Sequence, residues 1–511
     1  MVFAKLLSMI SVALTVRYHV GPAGLQQSCP PGRLPRREVA GRANQLARVC
    51  RSLLLLLTTA LLATGCQTYQ QQNKVVRYWQ QGDLPRAASE ATAKADKNAG
   101  HKDAIIWRLE QGSALRAVGR YQDSNTAFDQ AQARIDDYAQ QAKVRLGQES
   151  AAMLSNQANL AYEGRAYDGI MLNTYEALNY LALGERDKAR PELINAYLRQ
   201  QDAVAANKKR IQEAQEDAEQ SKDSAAIARA QQDPGLQAQL AGTTTNLDGM
   251  RFYGDYVNPF TVYLDGLYFM ANAADVSDLE RSRKSLSRVV SFAPDNVYVK
   301  QDLAAAEGLI RGQPLPPTTY VIFETGCAPQ RGQIRIDIPI IVSRVSYVGA
   351  AFPKLEFNNN YMPFLTVSAN GANTSTMLVA SMDAVIGQDF KNELPVIITK
   401  TIIATVVKGV AAYAANSAAE NAGGDLGGLL TQLGTAVYQM AVNIADTRTW
   451  STLPKQFQVA RVPTPPNRTI DLITPAGMKT TVTIGPGNVN VVYVKSINEF
   501  SPLLISQFTL K

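Results

Sequence analysis

The sequence changes character near residues 311–319, RGQPLPPTT, and this change limits the class of fold. Upstream, the chain is rich in Ala, Gln, Glu, Lys and Arg, with apolar residues at helical spacing. Downstream, β-branched residues alternate with polar ones, and Gly, Pro and Asn become frequent. Helical spacing predicts helices, strict alternation predicts strands, and Pro-rich punctuation marks a boundary. We therefore expect an α+β fold, with a helical domain over 66–312 and a β-rich domain over 313–511 that forms a sandwich or an open barrel.

Within the helical half, residues 112–131 have the spacing of a tetratricopeptide repeat. Gly112, Leu115, Gly119, Tyr121, Phe128 and Ala131 fall at this spacing, with Tyr121 and Phe128 expected between the two helices. In such a unit, small residues permit close helix contact and aromatic side chains fill the gap that is left. The pair then stacks on its neighbour to bury a continuous core.

Related segments lie at intervals near the repeat length. Gly82 stands 37 residues before Gly119, and Gly184 stands 65 residues after it, compared with a repeat length of 34 residues. A fourth unit is predicted over 259–296, with an insertion in its middle turn. The alternative is a helical bundle without repeats, which shares the periodicity but not the glycines. We expect a tetratricopeptide-like array that binds protein, with these packing positions: Gly82, Gly112, Leu115, Gly119, Tyr121, Phe128 and Gly184.

Two segments interrupt these patterns. Residues 200–235 are helical in propensity but poor in large apolar residues, which predicts a solvated charged helix or an arm directed at a partner. Residues 394–450 predict two apolar helices joined by AGGDLGG. Lys400 and Lys408 argue against a membrane span, because a charged residue costs roughly 3 kcal/mol at the bilayer centre. We expect a buried or sheet-covering hairpin, with a hairpin that contacts a membrane or a partner as the alternative.

Strands are predicted throughout the C-terminal half. Residues 334–340, IRIDIPI, place isoleucines on one face and charged residues on the other, which is typical of a strand with one buried side. Further strands are expected at 318–324, 344–350, 364–368, 375–380, 456–462, 469–473, 478–484 and 489–495. GPGN at 485–488 predicts a hairpin turn between the last two of these strands.

The N-terminal region, 1–65, has the features of a leader. Its apolar run, 53–63, is eleven residues long, whereas a membrane span needs about 17 to 25. Arginines precede the run, and small residues lie between it and Cys66, as in a secretory signal. The whole pattern resembles a bacterial lipoprotein signal, in which the cysteine is acylated and the chain is cut before it. A plain secretory signal or a buried helix is the alternative.

This resemblance implies an address for the mature chain. Three acyl chains on Cys66, at about 0.8 kcal/mol per buried CH₂, would anchor it permanently. In such lipoproteins an aspartate after the cysteine favours the inner membrane, and here Gln67 follows it. We expect attachment to outer-membrane lipid, facing the periplasm. We also expect that residues 1–40 reflect a mistaken start, with translation beginning near Val49.

Charge and residue inventory limit the function of the mature chain. Residues 1–65 hold eight of the 51 Lys and Arg and one of the 44 Asp and Glu, which leaves 43 of each sign. A neutral chain lacks the basic excess of a nucleic-acid-binding protein, so no nucleic acid is expected. One histidine, His101, remains in the mature chain, which disfavours a His/Cys zinc site and a Ser-His-Asp triad. P-loop, GxGxxG, GxSxG and HExxH patterns are absent from the sequence.

We therefore expect no catalytic residue, no cofactor and no metal ligand. Cys327, in FETGCAPQRG, is predicted to be an inert small residue, because a nucleophile would need a base that the inventory does not readily supply. Asp446 and Arg448 are predicted to pair with each other or to cap a helix end.

Three stretches carry a resemblance to a family: 323–340, FETGCAPQRGQIRIDIPI; 445–461, ADTRTWSTLPKQFQVAR; and 177–190, ALNYLALGERDKAR. They resemble an uncharacterised proteobacterial family of tetratricopeptide-containing outer-membrane lipoproteins, over nearly all of the mature chain. That family has no settled activity. The resemblance implies an envelope location, often beside lipoprotein activators of peptidoglycan synthases.

The expected function is that of a scaffold rather than an enzyme. A lipid-anchored periplasmic adaptor would bind an envelope protein through the groove of its array, in cell-envelope assembly, with the β-domain as a second contact. One alternative is a structural subunit of a secretion, pilus or flagellar machine, which would form a homo-oligomer. Another is a carboxylate-dependent hydrolase of the envelope.

Overall fold

The structure, a computed structural model, describes residues 74–144, 158, 160–342, 345–410 and 444–511. All of these residues belong to one compact unit, 67–511. Cys66 and the predicted leader lie outside the described residues. So does the stretch 411–443, which holds most of the second helix of the predicted hairpin.

Helices dominate the described residues up to 310, and strands dominate those after 318, so the α+β class is confirmed. The array, the sandwich or barrel and the boundary at 313 stay predictions. A last helix, α12, covers 382–410. The earlier helices are α1 (Lys74–Gln80), α2 (Leu84–Lys97), α3 (Ala104–Ala117), α4 (Tyr121–Val144), α5 (Ala166–Ala182), α6 (Arg186–Gln220), α7 (Ser224–Gln232), α8 (Pro234–Ala241), α9 (Pro259–Ala271), α10 (Val276–Phe292) and α11 (Val297–Ile310).

Three consecutive helix pairs, α1 with α2, α3 with α4 and α5 with α6, share one type of turn. Gly119, between α3 and α4, has φ of 78°, a left-handed conformation that glycine adopts most easily. The next N–H, of Arg120, donates to the carbonyl of Leu115 at 2.9 Å, which ends α3 in a Schellman motif. Gly82 and Gly184 repeat this geometry after α1 and α5. Three of the predicted packing glycines therefore form turns.

A close contact inside the pairs also recurs. A Cβ on Gly112 of α3 would collide with the ring of Phe128 on α4, and Ser124 donates to the Gly112 carbonyl at 2.7 Å. On α9 and α10, a Cβ on Gly266 would lie 2.8 Å from Leu286 Cγ, and Ser282 donates to the Gly266 carbonyl at 2.8 Å. Two helix pairs are thus built on the same glycine and serine contact.

The strands of the described residues form three sheets. One has five strands in the order β11-β10-β1-β7-β6, the second pairs β2 with β3, and the third has the order β5-β4-β8-β9. Strand β1 is parallel to β10, antiparallel to β7 and buried along its whole length. The strands are β1 (Thr318–Thr325), β2 (Gln330–Val342), β3 (Val345–Glu356), β4 (Thr366–Ala369), β5 (Ala372–Ser375), β6 (Met377–Ser381), β7 (Gln456–Pro463), β8 (Thr469–Ile473), β9 (Lys479–Thr483), β10 (Val489–Ser496) and β11 (Leu504–Thr509).

Every predicted strand overlaps an observed one, but the predicted hairpin at 485–488 is wrong. Strand β9 pairs with β8, whereas β10 pairs with β1 and β11, so GPGN carries the chain between two sheets. The sequence also missed β11.

The charged segment 200–235 and the apolar insertion meet in a second apolar cluster. Within the segment, Ile227 and Ala230 of α7 are buried against β2 and β3, where Ile338 is fully buried, and Leu236 of α8 follows directly after it in the same cluster. Ile402 and Val406 of α12 complete this cluster, so α12 covers the two-stranded sheet. The segment is therefore neither wholly solvated nor a free arm, because its few apolar residues pack on this sheet.

The insertion differs from its prediction at both ends. It is helical from 382, directly after β6, instead of from 394, and residues 444–450 are not helical. Within the described residues, no helix combines the length and apolarity that crossing a membrane requires.

Helices and sheets share the main apolar core. Trp79 of α1 and Tyr175 of α5 belong to the same buried cluster as Val321 of β1 and Phe457 of β7. The ring of Phe260 on α9 stacks on Phe457, with the centroids 3.8 Å apart. The face of α3 and α5 that is turned toward the sheets is called the inner face below.

Candidate functional site

A stretch without regular structure, residues 444–455, lies along the inner face and is called the crossing segment. Residues 447–455 are all buried, although they belong to neither helix nor strand. A buried loop needs internal partners for its polar groups, because each unpaired group costs free energy. Those partners come largely from α3, α5 and the loop before α5.

Glu110 of α3 holds the centre of the crossing segment. Its fully buried carboxylate accepts hydrogen bonds from Ser451 N at 2.8 Å, Ser451 Oγ at 2.5 Å and Thr452 Oγ1 at 2.7 Å. Burial raises the pKa of Glu110, and the hydrogen bonds from Ser451 and Thr452 oppose that rise. A helix side chain thus binds a backbone N–H and two hydroxyl groups of the crossing segment.

Trp450 fills the space beside this carboxylate. It is fully buried, with ring centroids 5.7 Å from Phe128 and 5.9 Å from Tyr175. Its Nε1 donates to Ser113 Oγ at 2.9 Å, so the indole has both an apolar cage and a polar partner. The inner face of α3 and α5 is therefore occupied by the chain itself.

A set of buried and half-buried charges, called the charge cluster, joins four elements at one end of the crossing segment. Its members are Arg165 and Asp168 at the start of α5, Arg331 of β2, Asp389 and Glu393 of α12, and Asp446 and Arg448 of the crossing segment.

The arginines of the charge cluster link different elements. Arg331 is 2.5 Å from Glu393, and Arg165 lies 3.6 Å from Glu393 and donates to the carbonyl of Arg448 at 2.6 Å. Arg448 pairs with Asp446 at 2.8 Å, as predicted, and with Asp103 at 2.8 Å. These bonds hold α5, β2, α12 and the crossing segment together.

The two carboxyl groups that α12 contributes to the charge cluster have pKa values shifted in opposite directions. Burial opposes ionisation of Glu393, but Arg331 and Arg165 outweigh it and lower the pKa of Glu393. Burial and the neighbouring Glu393 charge raise the pKa of Asp389. Because the ionised acids face guanidinium groups, the arrangement acts as a link between elements.

Cys327 has the surroundings of a structural thiol. It is 2% exposed, and its thiol donates to the carbonyl of Ile497 at 3.7 Å. Burial raises the pKa of Cys327 to about 11, so the thiol stays protonated at neutral pH. A protonated buried thiol is a poor nucleophile. Over the described ranges, no three His, Cys, Asp or Glu side chains are arranged to hold a metal ion.

An open cavity of about 140 Å³ lies away from the inner face, between α2, α3 and α4, and is called the outer cavity. Arg108 and Gln111 of α3 line it, with Nη1 of Arg108 donating to Oε1 of Gln111 at 2.7 Å. Arg120, Asp123 and Thr126 line the opposite side. Polar and charged side chains line it beside Leu115 and Ala127, the five residues named above sum to one positive charge, and Thr126 is exposed to solvent.

The predicted packing positions are distributed over turns and helix contacts. Leu115 and Phe128 are buried between helices, and Gly112 provides the close approach. Tyr121 is half-buried, with the Arg116 guanidinium 5.9 Å from its ring centroid. The sequence missed Glu110, although a carboxylate inside the apolar stretch IIWRLEQGS was a signal for a buried polar contact.

A carboxyl group with a strongly shifted pKa lies between α4, α5 and α6. Glu176 is 3% exposed, close to Glu192 and Asp129, and Asn173 Nδ2 donates to it at 3.3 Å. Burial, with added repulsion from Glu192 and Asp129, raises the pKa of Glu176 to about 10. Glu176 therefore keeps its proton at neutral pH.

We expect Glu176→Gln to stabilise the protein at pH 8 by on the order of 2 kcal/mol and to leave its stability at pH 4 unchanged. The native state keeps a proton that the unfolded chain releases above the ordinary pKa of 4.5, so stability falls as pH rises from 4.5 toward about 10. The amide replaces the protonated acid without this cost. Urea unfolding at both pH values measures the effect, with the exposed Glu213→Gln as control. An equal change at both pH values would contradict it.

Comparison with known proteins gives no relative for this chain. No family model, curated protein or solved structure matches it.

Proposed function

We propose that this protein is a non-enzymatic scaffold of the cell envelope, anchored to outer-membrane lipid through acylated Cys66 and facing the periplasm. It binds an envelope protein through a tetratricopeptide-like array. Support for the array comes from the recurring Schellman turns at Gly82, Gly119 and Gly184 and from the contacts of Gly112 and Gly266. The β-rich half, a sandwich or open barrel, closes the inner face of the array.

One observation carries the choice of binding surface: the outer cavity is open, whereas the inner face holds the crossing segment. In the repeat consensus W-x₂-L-G-x₂-Y, the glycine corresponds to Gly112. Arg108 and Gln111 then stand where the consensus has Trp and Leu. Two positions that would fill the space between helices instead carry long polar side chains that line a cavity. The partner places a polar side chain or chain end there.

The outer cavity can be tested with a photo-crosslinking residue at Thr126, an exposed position of its wall. We expect light to join the protein to one distinct envelope protein in living cells. The matched control carries the same residue at Thr481, an exposed threonine of β9. The Arg108→Ala change should reduce the Thr126 product, because Arg108 orients the polar lining. The same products from both positions, or none from Thr126, would contradict the proposal.

A further inference from the structure

The first described helix, α1, begins eight residues after Cys66. Eight residues of extended chain span at most about 30 Å. If Cys66 is acylated, as proposed above, α1 stays within that distance of the lipid leaflet. The surface around α1 is therefore the part of the described structure whose path to the anchor is shortest.

A tight turn after β10 rests against the end of α1. Asn498 Nδ2 donates to the carbonyl of Gln80 at 3.0 Å, and Lys495 Nζ lies 4.6 Å from the ring centroid of Trp79. Ser501 Oγ accepts from the backbone N–H groups of Ile497 at 2.9 Å and Asn498 at 3.1 Å. These contacts hold the turn in one place beside α1.

The turn presents an aromatic side chain to solvent. The Phe500 N–H donates to Asn498 Oδ1 at 2.9 Å, which holds its backbone, yet its side chain is 80% exposed. Among the described large apolar residues that are exposed, it has the highest exposure. Leaving an aromatic ring in water has a cost that burial in another phase would remove.

Basic side chains lie on the neighbouring helix. Lys74 and Arg77 are exposed at a spacing of three, on the same stripe of α1 as Gln80. Glu499, beside Phe500, is exposed and acidic, so these three charged residues sum to one positive charge. Aromatic and basic side chains together are typical of protein surfaces at the level of lipid headgroups.

We propose that Lys74, Arg77 and Phe500 form a membrane-facing surface that rests on the phospholipid leaflet holding Cys66. Phe500 enters the headgroup region, and the two basic side chains bind lipid phosphates. The proposal rests on the proposed function for its tether. Because the turn is already fixed, little backbone order is lost on contact. The surface orients the protein, so that it stands on the leaflet in one pose.

A tryptophan at position 500 reports on this contact. The native tryptophans Trp79, Trp107 and Trp450 are at most 6% exposed, so a new indole at the surface gives a separable signal. The full chain with Phe500→Trp is incorporated into vesicles of phosphatidylethanolamine and phosphatidylglycerol. We expect a blue shift and quenching by brominated lipid about two-fold or more above that of Val276→Trp, a control position that is 64% exposed on α10.

Emission that stays at the wavelength of water-exposed indole would contradict the proposed membrane-facing surface, whether or not Cys66 is acylated. Incorporation of radiolabelled palmitate into the same protein, lost in Cys66→Ala, reports on the anchor separately. Palmitate labelling without quenching at position 500 refutes the surface and leaves the anchor in place. Quenching without palmitate labelling supports the surface and refutes the anchor.

Discussion

Trp450→Ala is expected to lower the free energy of unfolding by about 3–5 kcal/mol, one of the two largest effects that we predict. The indole is fully buried between Phe128 and Tyr175, so its loss opens a cavity where two helices meet the crossing segment. The change also leaves Ser113, 3% exposed, without its indole donor. Urea unfolding followed by circular dichroism measures the loss.

Two further variants separate packing from hydrogen bonding at this position. Trp450→Phe keeps a ring but removes the Nε1 donor, so it should cost about 1–3 kcal/mol. Phe500→Ala removes an exposed ring and should stay within about 0.5 kcal/mol of the unaltered protein. If Trp450→Ala cost no more than Phe500→Ala, the crossing segment would not stabilise the packing of α3, α4 and α5.

The helix pairs were predictable because their signals are local. Gly112 and Phe128 stand sixteen residues apart, and a repeat pattern encodes both their spacing and their contact. The turn at Gly119 has the same local origin, since one glycine conformation ends a helix. Alternation predicted strands for the same reason, as each strand shows its pattern over a few residues.

The crossing segment was not predictable because its partners are distant in sequence. Ser451 meets Glu110 across 341 positions, and no local period records such a pairing. The pairing of Asp446 with Arg448 was predictable, because these residues are two positions apart, and it is confirmed. The contacts of Trp450 could not be predicted, because they require the packing of α3 and α5 against the sheets, which no local pattern shows.

The order of the strands in the sheets could not be predicted from the sequence for a related reason. GPGN has the composition of a hairpin turn, yet β9 and β10 join different sheets. Strand β10 instead pairs with β1, through eight residue pairs in parallel register. Turn composition predicts that the chain changes direction, and only the partner strands decide where it goes next.

The charge cluster links elements that are distant in sequence. It also accounts for several of the charged side chains that lie in the interior of this protein. A count of 43 basic and 43 acidic residues after residue 65 predicts neutrality, but it does not predict which charges are buried. Arg331 is 1% exposed, and the ion pair with Glu393 offsets the cost of burying its charge. We infer that the cluster fixes α12 and the crossing segment to α5 and β2.

Arg331→Met is expected to lower the free energy of unfolding at pH 7 by about 3 kcal/mol. The variant leaves Glu393, whose side chain is 22% exposed, with Arg165 at 3.6 Å as its remaining partner in the cluster. In the unaltered protein, arginine neighbours lower the pKa of Glu393 below its ordinary 4.5. That pairing therefore contributes stability above pH 4.5, and the contribution is lost as pH falls through the lowered pKa.

The pH dependence of the variant distinguishes charge from packing. Without Arg331, the pKa of Glu393 rises, so protonation relieves the variant as pH falls from 7 to 4, and the difference from the unaltered protein should shrink. Adding Glu393→Gln to Arg331→Met should recover stability at pH 7, because it removes the unpaired charge. Lys209→Met, in an exposed pair with Glu213 at 3.4 Å, is the control and should cost at most about 0.5 kcal/mol. A loss from Arg331→Met that is equal at pH 4 and pH 7, and unchanged by Glu393→Gln, would mean that Arg331 acts through its packing on Phe390 alone.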